Sequence, residues 1–372
     1  MRRIAATAVA IFLAVQIVAA ITHRSLVIPG ETDAARYLTY AAGPLVRADS
    51  RLPIGFPWTI RFVSAATSMS PFASGKTVCV VSGCAFLVLS YLLAMRLTQN
   101  EKTASYAVLF LAASPLVHSL SVRILSDMLA ATLCLGAILA MPTRWRPGRE
   151  TVRLAAFSGA LAAAAFLTRH VYLVLGALPV FVFWRNGRAL LAFYVAFFAV
   201  AAVWLVPVSF ATETPFWSHY VRNAEYGLRA FPSGRAYGVD APSSWTALAL
   251  GGGGLSLIKQ YVHNALAIPM RCATEIHGGA LAAVGLLLMV KRLDRPAALA
   301  LGAMTLYGLA ISAAWPGARF LLPLMPLVAV SMAVALESVG GATARVAATA
   351  VVVVNLFHTQ HWLREFLGRS GM

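Results

Sequence analysis

Charge is scarce in this chain, and acid is scarcest of all. Of 372 residues, 12% are Asp, Glu, Lys or Arg, and only 13 are acidic against 30 that are basic. Soluble domains are usually about 25% charged, so an ordinary water-soluble domain is excluded. Cysteine is also rare: the four residues Cys79, Cys84, Cys134 and Cys272 form no C-x-x-C pair and have no metal-type spacing to histidine. That excludes a disulfide framework and a zinc ribbon. The formal charge of +17 is not gathered into a basic tract with interleaved aromatics, so a nucleic-acid arm is excluded as well. The basic residues are spread over loops, where they set topology and meet phosphate groups and anionic lipid. Neither an internal repeat nor a soluble domain is visible.

What the chain has in quantity is apolar sequence. It is 60% hydrophobic with a mean hydropathy of +0.76. A bilayer-crossing helix needs roughly 17–25 apolar residues, and isolated strands cannot satisfy their backbone in lipid. The expected fold is therefore all-α: a single polytopic membrane domain over 1–372 with about eleven transmembrane helices. They are expected near 4–22, 77–95, 104–118, 127–141, 154–167, 171–184, 189–210, 278–290, 297–314, 320–337 and 346–358. The fifth and sixth look short and read as a tight hairpin. Pro323 and Pro326 should kink the tenth. Arg2 and Arg3 before the first run, and Arg144, Arg146, Arg149 and Arg153 between the fourth and fifth, mark the cytoplasmic side. Residues 1–20 also resemble a secretory signal with Val18-Ala19-Ala20 as its cleavage site, but the run is long for a signal and further spans follow.

Two long loops then fall outside the cytoplasm, 23–76 and 211–279. Each should carry interfacial helices. In the second, Leu255, Ile258, Val262, Ala265 and Leu266 keep a helical spacing, with Lys259 and His263 off the stripe. That suits a helix lying in the interface. The rival reading, a true span over 255–270, conflicts with the charge count around Lys291, Arg292 and Arg295.

The richest stretch opens the first loop. Pro29-Gly30 is a turn signal, and Thr32 is positioned to cap a helix from Asp33 to about Ala42. Asp33 then lies in the first turn, where the dipole favours negative charge. Arg36 and Tyr37 follow at helical spacing on its face. Such a carboxylate has the makings of a positioned general base. The plainer reading is a surface helix whose acids are solvated. Ser126 is expected to cap the fourth span, which Asp127 opens.

The topology sorts every carboxylate to one face or the other, and none lies deep in a span. Ion-coupled transporters usually need one there. The external face combines carboxylates, arginines and aromatics, a set suited to a sugar and a phosphate at a membrane surface.

The order of these features resembles the polyprenyl-phosphate-dependent glycosyltransferases of the GT-C superfamily, in particular the protein O-mannosyltransferase and lipid A aminoarabinose transferase branch. The motifs that carry the resemblance are Asp33 with Tyr37 four residues on, Pro53-Ile54-Gly55-Phe56-Pro57, Ser126-Asp127, Leu167-Thr168-Arg169, and Arg319-Phe320-Leu321-Leu322-Pro323-Leu324-Met325-Pro326. They span most of the chain. Many members also carry a soluble C-terminal domain, and this sequence ends soon after its last apolar run.

The resemblance implies an inverting transfer of one sugar from a polyprenyl-phosphate donor to a lipid, glycan or protein hydroxyl at the periplasmic face of a bacterial inner membrane. Membrane lipids are the other partners, and no nucleic acid or cofactor is implied. Asp33 is the expected base and Glu31 its rival. Arg36 and Tyr37 are expected beside the substrate. Arg61, Arg123, Arg169 and Arg319 are candidates for the phosphate, and Asp127 for orienting the acceptor or pairing with an arginine. His219, Tyr220 and Tyr226 are candidates for lining the acceptor side. No metal site is expected, although Asp33 with Asp127 is a conceivable divalent pair, and His358 and His361 lack a third ligand nearby. Two other classes compete: a transporter or flippase of a lipid-linked sugar, and a non-enzymatic membrane subunit.

Overall fold

Backbone groups in lipid must bond within their own segment, and this chain answers with helices throughout. The computed structural model describes residues 2–22, 32–43, 53–142, 148–211, 254–276, 279–291, 294–312 and 318–369, and among them there is no strand. Helix α1 spans Arg2–Thr22, followed by two surface helices, α2 over Thr32–Ala42 and α3 over Gly55–Thr67. Then come α4 (Pro71–Thr98), α5 (Glu101–Ala113), α6 (Pro115–Val122), α7 (Asp127–Ala140) and α8 (Arg149–Thr168). A 3-10 helix over His170–Ala177 leads into α9 (Leu178–Phe183) and α10 (Gly187–Ala211). The remainder is α11 (Gly254–Glu275), α12 (Gly279–Lys291), α13 (Arg295–Ser312), a second 3-10 helix over Ala318–Leu324, α14 (Met325–Val339) and α15 (Gly341–Arg369).

Among the described residues, five helices are long and apolar enough to cross a membrane, and six if the bent pair α5–α6 counts as one span. They are α4, α8, most of α10, the run Ala318–Val339 and most of α15. Shorter apolar helices cover Ala6–Ile17, Asp127–Ala140, His170–Phe183, Leu281–Lys291 and Pro296–Ser312. Among the described residues, the expected crossings overlap these longer and shorter apolar helices, and five or six of them have the length of a span. Val81, Phe181, Phe198, Leu266 and Phe357 point outward, as side chains facing lipid do.

Three expectations need correction in detail. The fifth span is not short: Arg149, Glu150 and Arg153 join the helix and bring it to 20 residues. The sixth is not a regular helix, since its first eight residues wind as a 3-10 helix. The tenth span is not α-helical throughout: Pro323 lies inside a 3-10 helix, and Pro326 stands in the first turn of α14, where its missing N–H costs nothing. The interfacial candidate over 255–270 is one 22-residue helix, α11. Its stripe of Ile258, Val262 and Leu266 faces outward, while Asn264, Ile268 and Cys272 are buried.

The third span breaks at Ser114-Pro115, where α5 and α6 meet at 59°. The break frees carbonyls in an apolar setting, and side chains take them up. His118 Nε2 donates to Ala112 O at 2.7 Å, and Thr359 Oγ1 to Ala113 O at 3.0 Å. Gln16 Nε2 donates to His118 Nδ1 at 3.0 Å, while Phe12 stacks on the imidazole. At the basic end of the bundle, Arg96 donates to the Ile138, Leu139 and Met141 carbonyls that close α7. There a cation meets the negative end of a helix. Asn100 caps α5 through Lys102 N and Thr103 N, and both Asn100 and Thr103 bond the Glu337 carboxylate. Because α7 starts at Asp127 and ends at Arg96, Asp127 lies at the opposite end of the bundle from these groups.

Candidate active site

Helix α2 buries Ala34, Tyr37 and Ala41, which share one face at helical spacing. That choice of face decides what its polar residues do. Tyr37 turns inward, meets Phe56 edge-on at 5.0 Å and bonds Ser126 Oγ at 2.9 Å. Burial pushes the Tyr37 hydroxyl up to about 12, so it stays protonated. Asp33 sits at the rim of the same helix, and its Oδ2 accepts from Arg319 Nη1 at 3.3 Å. Arg36 is exposed on the far side.

Ser126 does not cap α7 with its side chain, contrary to expectation. The hydroxyl is spent on Tyr37 instead, tying the first loop to the start of α7. One residue on, Asp127 is buried, and its Oδ1 accepts from Arg169 Nη1. Its other oxygen, Oδ2, is buried without a hydrogen-bond partner among the described residues. Burial alone would lower the Arg169 guanidinium, but the Asp127 carboxylate, with help from Tyr37, raises it above the usual arginine value.

Arg319 and Arg169 converge on one ring. The Arg169 guanidinium carbon lies 4.6 Å from the Phe320 centroid and that of Arg319 lies 5.0 Å from it. Arg123, just beyond α6, is the third cation. Burial and the nearby Arg319 charge lower it, and Asp127 partly restores it. The cluster thus holds three guanidiniums and two carboxylates, with an excess of positive charge.

Not all the candidates meet here. Arg61 donates to Gly43 O at 3.1 Å, which ties α3 to the end of α2 rather than serving the cluster. Glu31, His219, Tyr220 and Tyr226 lie outside the described residues, as do Arg144 and Arg146. No group of three His, Cys, Asp or Glu forms among the described residues.

Tyr172 and Tyr307 had no signal in the sequence, and Gly55 was legible only as part of a turn motif. Gly55 lets α3 lie on the end of α8: a Cβ there would meet Thr168 Oγ1 at 2.8 Å and the Leu167 carbonyl at 2.9 Å. Tyr172 and Tyr307 stack at 5.1 Å behind the cluster, and Tyr307 donates to the Phe320 carbonyl at 3.0 Å. Phe320 was legible only as a neighbour of Arg319. From α11, Tyr261 donates to Leu309 O at 2.9 Å and Asn264 to Ser312 O at 3.1 Å, so the second loop's helix is fastened to α13 close to the 3-10 turn that carries Arg319.

No protein-family model matches the sequence, and no curated protein matches it. Solved structures do match in fold. ArnT from Cupriavidus metallidurans in the apo state superposes with a TM-score of 0.58 at 16% identity, covering 89% of this chain and 59% of ArnT. ArnT bound to undecaprenyl phosphate gives 0.60 at 17% identity, covering 98% of this chain and 73% of the other. The oligosaccharyltransferase of Archaeoglobus fulgidus, in complex with Zn and sulfate, gives 0.62 at 16% identity, covering 97% of this chain and 53% of the other. This chain has the helical membrane fold of these GT-C glycosyltransferases. It spans little more than half the length of the apo ArnT and oligosaccharyltransferase chains.

Proposed function

We propose that this protein is an inverting glycosyltransferase that moves a sugar from a polyprenyl-phosphate donor to an acceptor hydroxyl, with Asp33 as the base. The observation that carries the reading is the pair Asp33–Arg319 set beside Arg169 and Arg123 at the bundle end away from Arg96 and Glu337. A carboxylate lies next to a group of guanidiniums, the arrangement that a base beside an anion site would need. The shared fold with ArnT, which has been seen bound to undecaprenyl phosphate, agrees with a lipid-phosphate donor.

In this reading the acceptor oxygen attacks the anomeric carbon while the bond from that carbon to the phosphate oxygen breaks. The electron pair leaves with polyprenyl phosphate, and the acceptor proton passes to Asp33. Arg319 exchanges Asp33 for the departing phosphate, so the charge that forms meets a guanidinium already in place. Arg169, on the same Phe320 ring, and Arg123 add further positive charge for that phosphate. The unpartnered Asp127 Oδ2 accepts a hydrogen bond from a hydroxyl of the sugar or the acceptor. The active face is the periplasmic one in a bacterial inner membrane, opposite the basic loops. The second loop lies on the acceptor side.

The test is sugar transfer by the purified protein from an undecaprenyl-phosphate sugar. Asp33→Asn should lower the rate about 10²–10⁴-fold without changing the thermal midpoint. Activity near that of the parent removes Asp33 from the chemistry. Lipid movement without any transfer replaces the enzyme with a flippase.

A further inference from the structure

The guanidiniums of Arg169 and Arg319 come from different parts of the chain and repel each other, yet both rest against one aromatic ring. An aromatic face attracts cations within about 6 Å of its centroid. The ring itself is fixed from behind. Tyr307 donates to the Phe320 carbonyl, Tyr172 stacks on Tyr307, and Tyr172 sits on the 3-10 helix that follows Arg169. The path Arg169, Phe320, Tyr307, Tyr172 therefore closes on itself.

We infer that Phe320 is a positioning residue: its ring sets the distance between Arg169 and Arg319 so that both charges address one phosphate group. The inference rests on the proposal that these arginines serve a lipid phosphate. Phe320 forms no bond in the reaction. It acts through the two cations, and its contribution depends on the charge distribution of its ring as well as on its bulk.

The experiment measures affinity for undecaprenyl phosphate with the full chain in detergent, beside its thermal midpoint. Phe320→Leu keeps apolar volume and removes the ring; binding should weaken about tenfold. Phe320→Tyr keeps the ring and should bind within about threefold of the parent. Phe320→pentafluorophenylalanine keeps the shape but inverts the ring's quadrupole, and it should bind weakly even if the leucine variant folds poorly. Parent-like affinity in the fluorinated protein overturns the inference, as does equal loss in the tyrosine and leucine variants. Arg319→Ala separates the two proposals. Weak binding there with parent-like binding in the leucine and fluorinated variants sinks only the role of Phe320. Parent-like binding in Arg319→Ala sinks the phosphate site and this inference together.

Discussion

Two carboxylate–guanidinium pairs stand side by side in this molecule, and they are built differently. Asp127 and Arg169 join the start of α7 to the end of α8, with side chains 3% and 16% exposed. Asp33 and Arg319 join a surface helix to a late 3-10 turn, with side chains 30% and 36% exposed and a longer contact of 3.3 Å. A buried pair is costly to break, because the survivor is left charged without a partner. An open pair contributes little, about 0–1 kcal/mol, and can be exchanged for a substrate. The first pair is locked into the packing, so Arg169 is held in place, while the second is open enough to exchange partners.

The comparison is broken most directly at Asp127. Asp127→Ala should cost about 3–5 kcal/mol, seen as a large fall in the thermal midpoint in detergent. Adding Arg169→Met should recover part of it. A midpoint unmoved by Asp127→Ala would mean that the buried pair is not structural. The mirror experiment is Arg319→Ala. Stability should change by less than about 1 kcal/mol, while transfer falls by roughly 10²-fold. A large stability loss with intact transfer would reverse the roles of the two pairs.

The smallest effect sharpens the boundary between them, where Tyr37 lies. Burial raises its hydroxyl from 10.0 to about 12, so the folded protein holds that proton to higher pH than the unfolded chain does. The contribution is whole below pH 10 and is lost as pH climbs from 10 towards 12. Tyr37→Phe should flatten the fall of the thermal midpoint across that window. An unchanged slope would assign the loss to another group.

Much of this site was legible because it is made of short motifs at the ends of helices. Ser126-Asp127, Leu167-Thr168-Arg169 and Arg319-Phe320 mark the points where apolar sequence gives way to polar, and the fold gathers those ends at one side. What could not be read is orientation. The spacing of Asp33, Arg36 and Tyr37 fits a common face, but the small residues Ala34 and Ala41 put Tyr37 inside and leave Arg36 outside. The hydroxyl of Ser126 had two possible uses, as a cap or as a partner for Tyr37, and only the packing of α2 selects the second. Residues 171–177 carry no charged or strongly polar side chain, so no periodicity separates a 3-10 helix from an α-helix there.

Gly55 has a consequence for how the enzyme would keep its shape while working. With hydrogen in place of a methyl group, the first turn of α3 rests on the Leu167 carbonyl, two residues before Arg169. It acts as a shim of zero thickness between the segment that follows Asp33 and the helix that ends at Arg169. Any thicker residue at 55 would press on the Leu167 carbonyl and wedge α3 away from the end of α8 that carries Arg169.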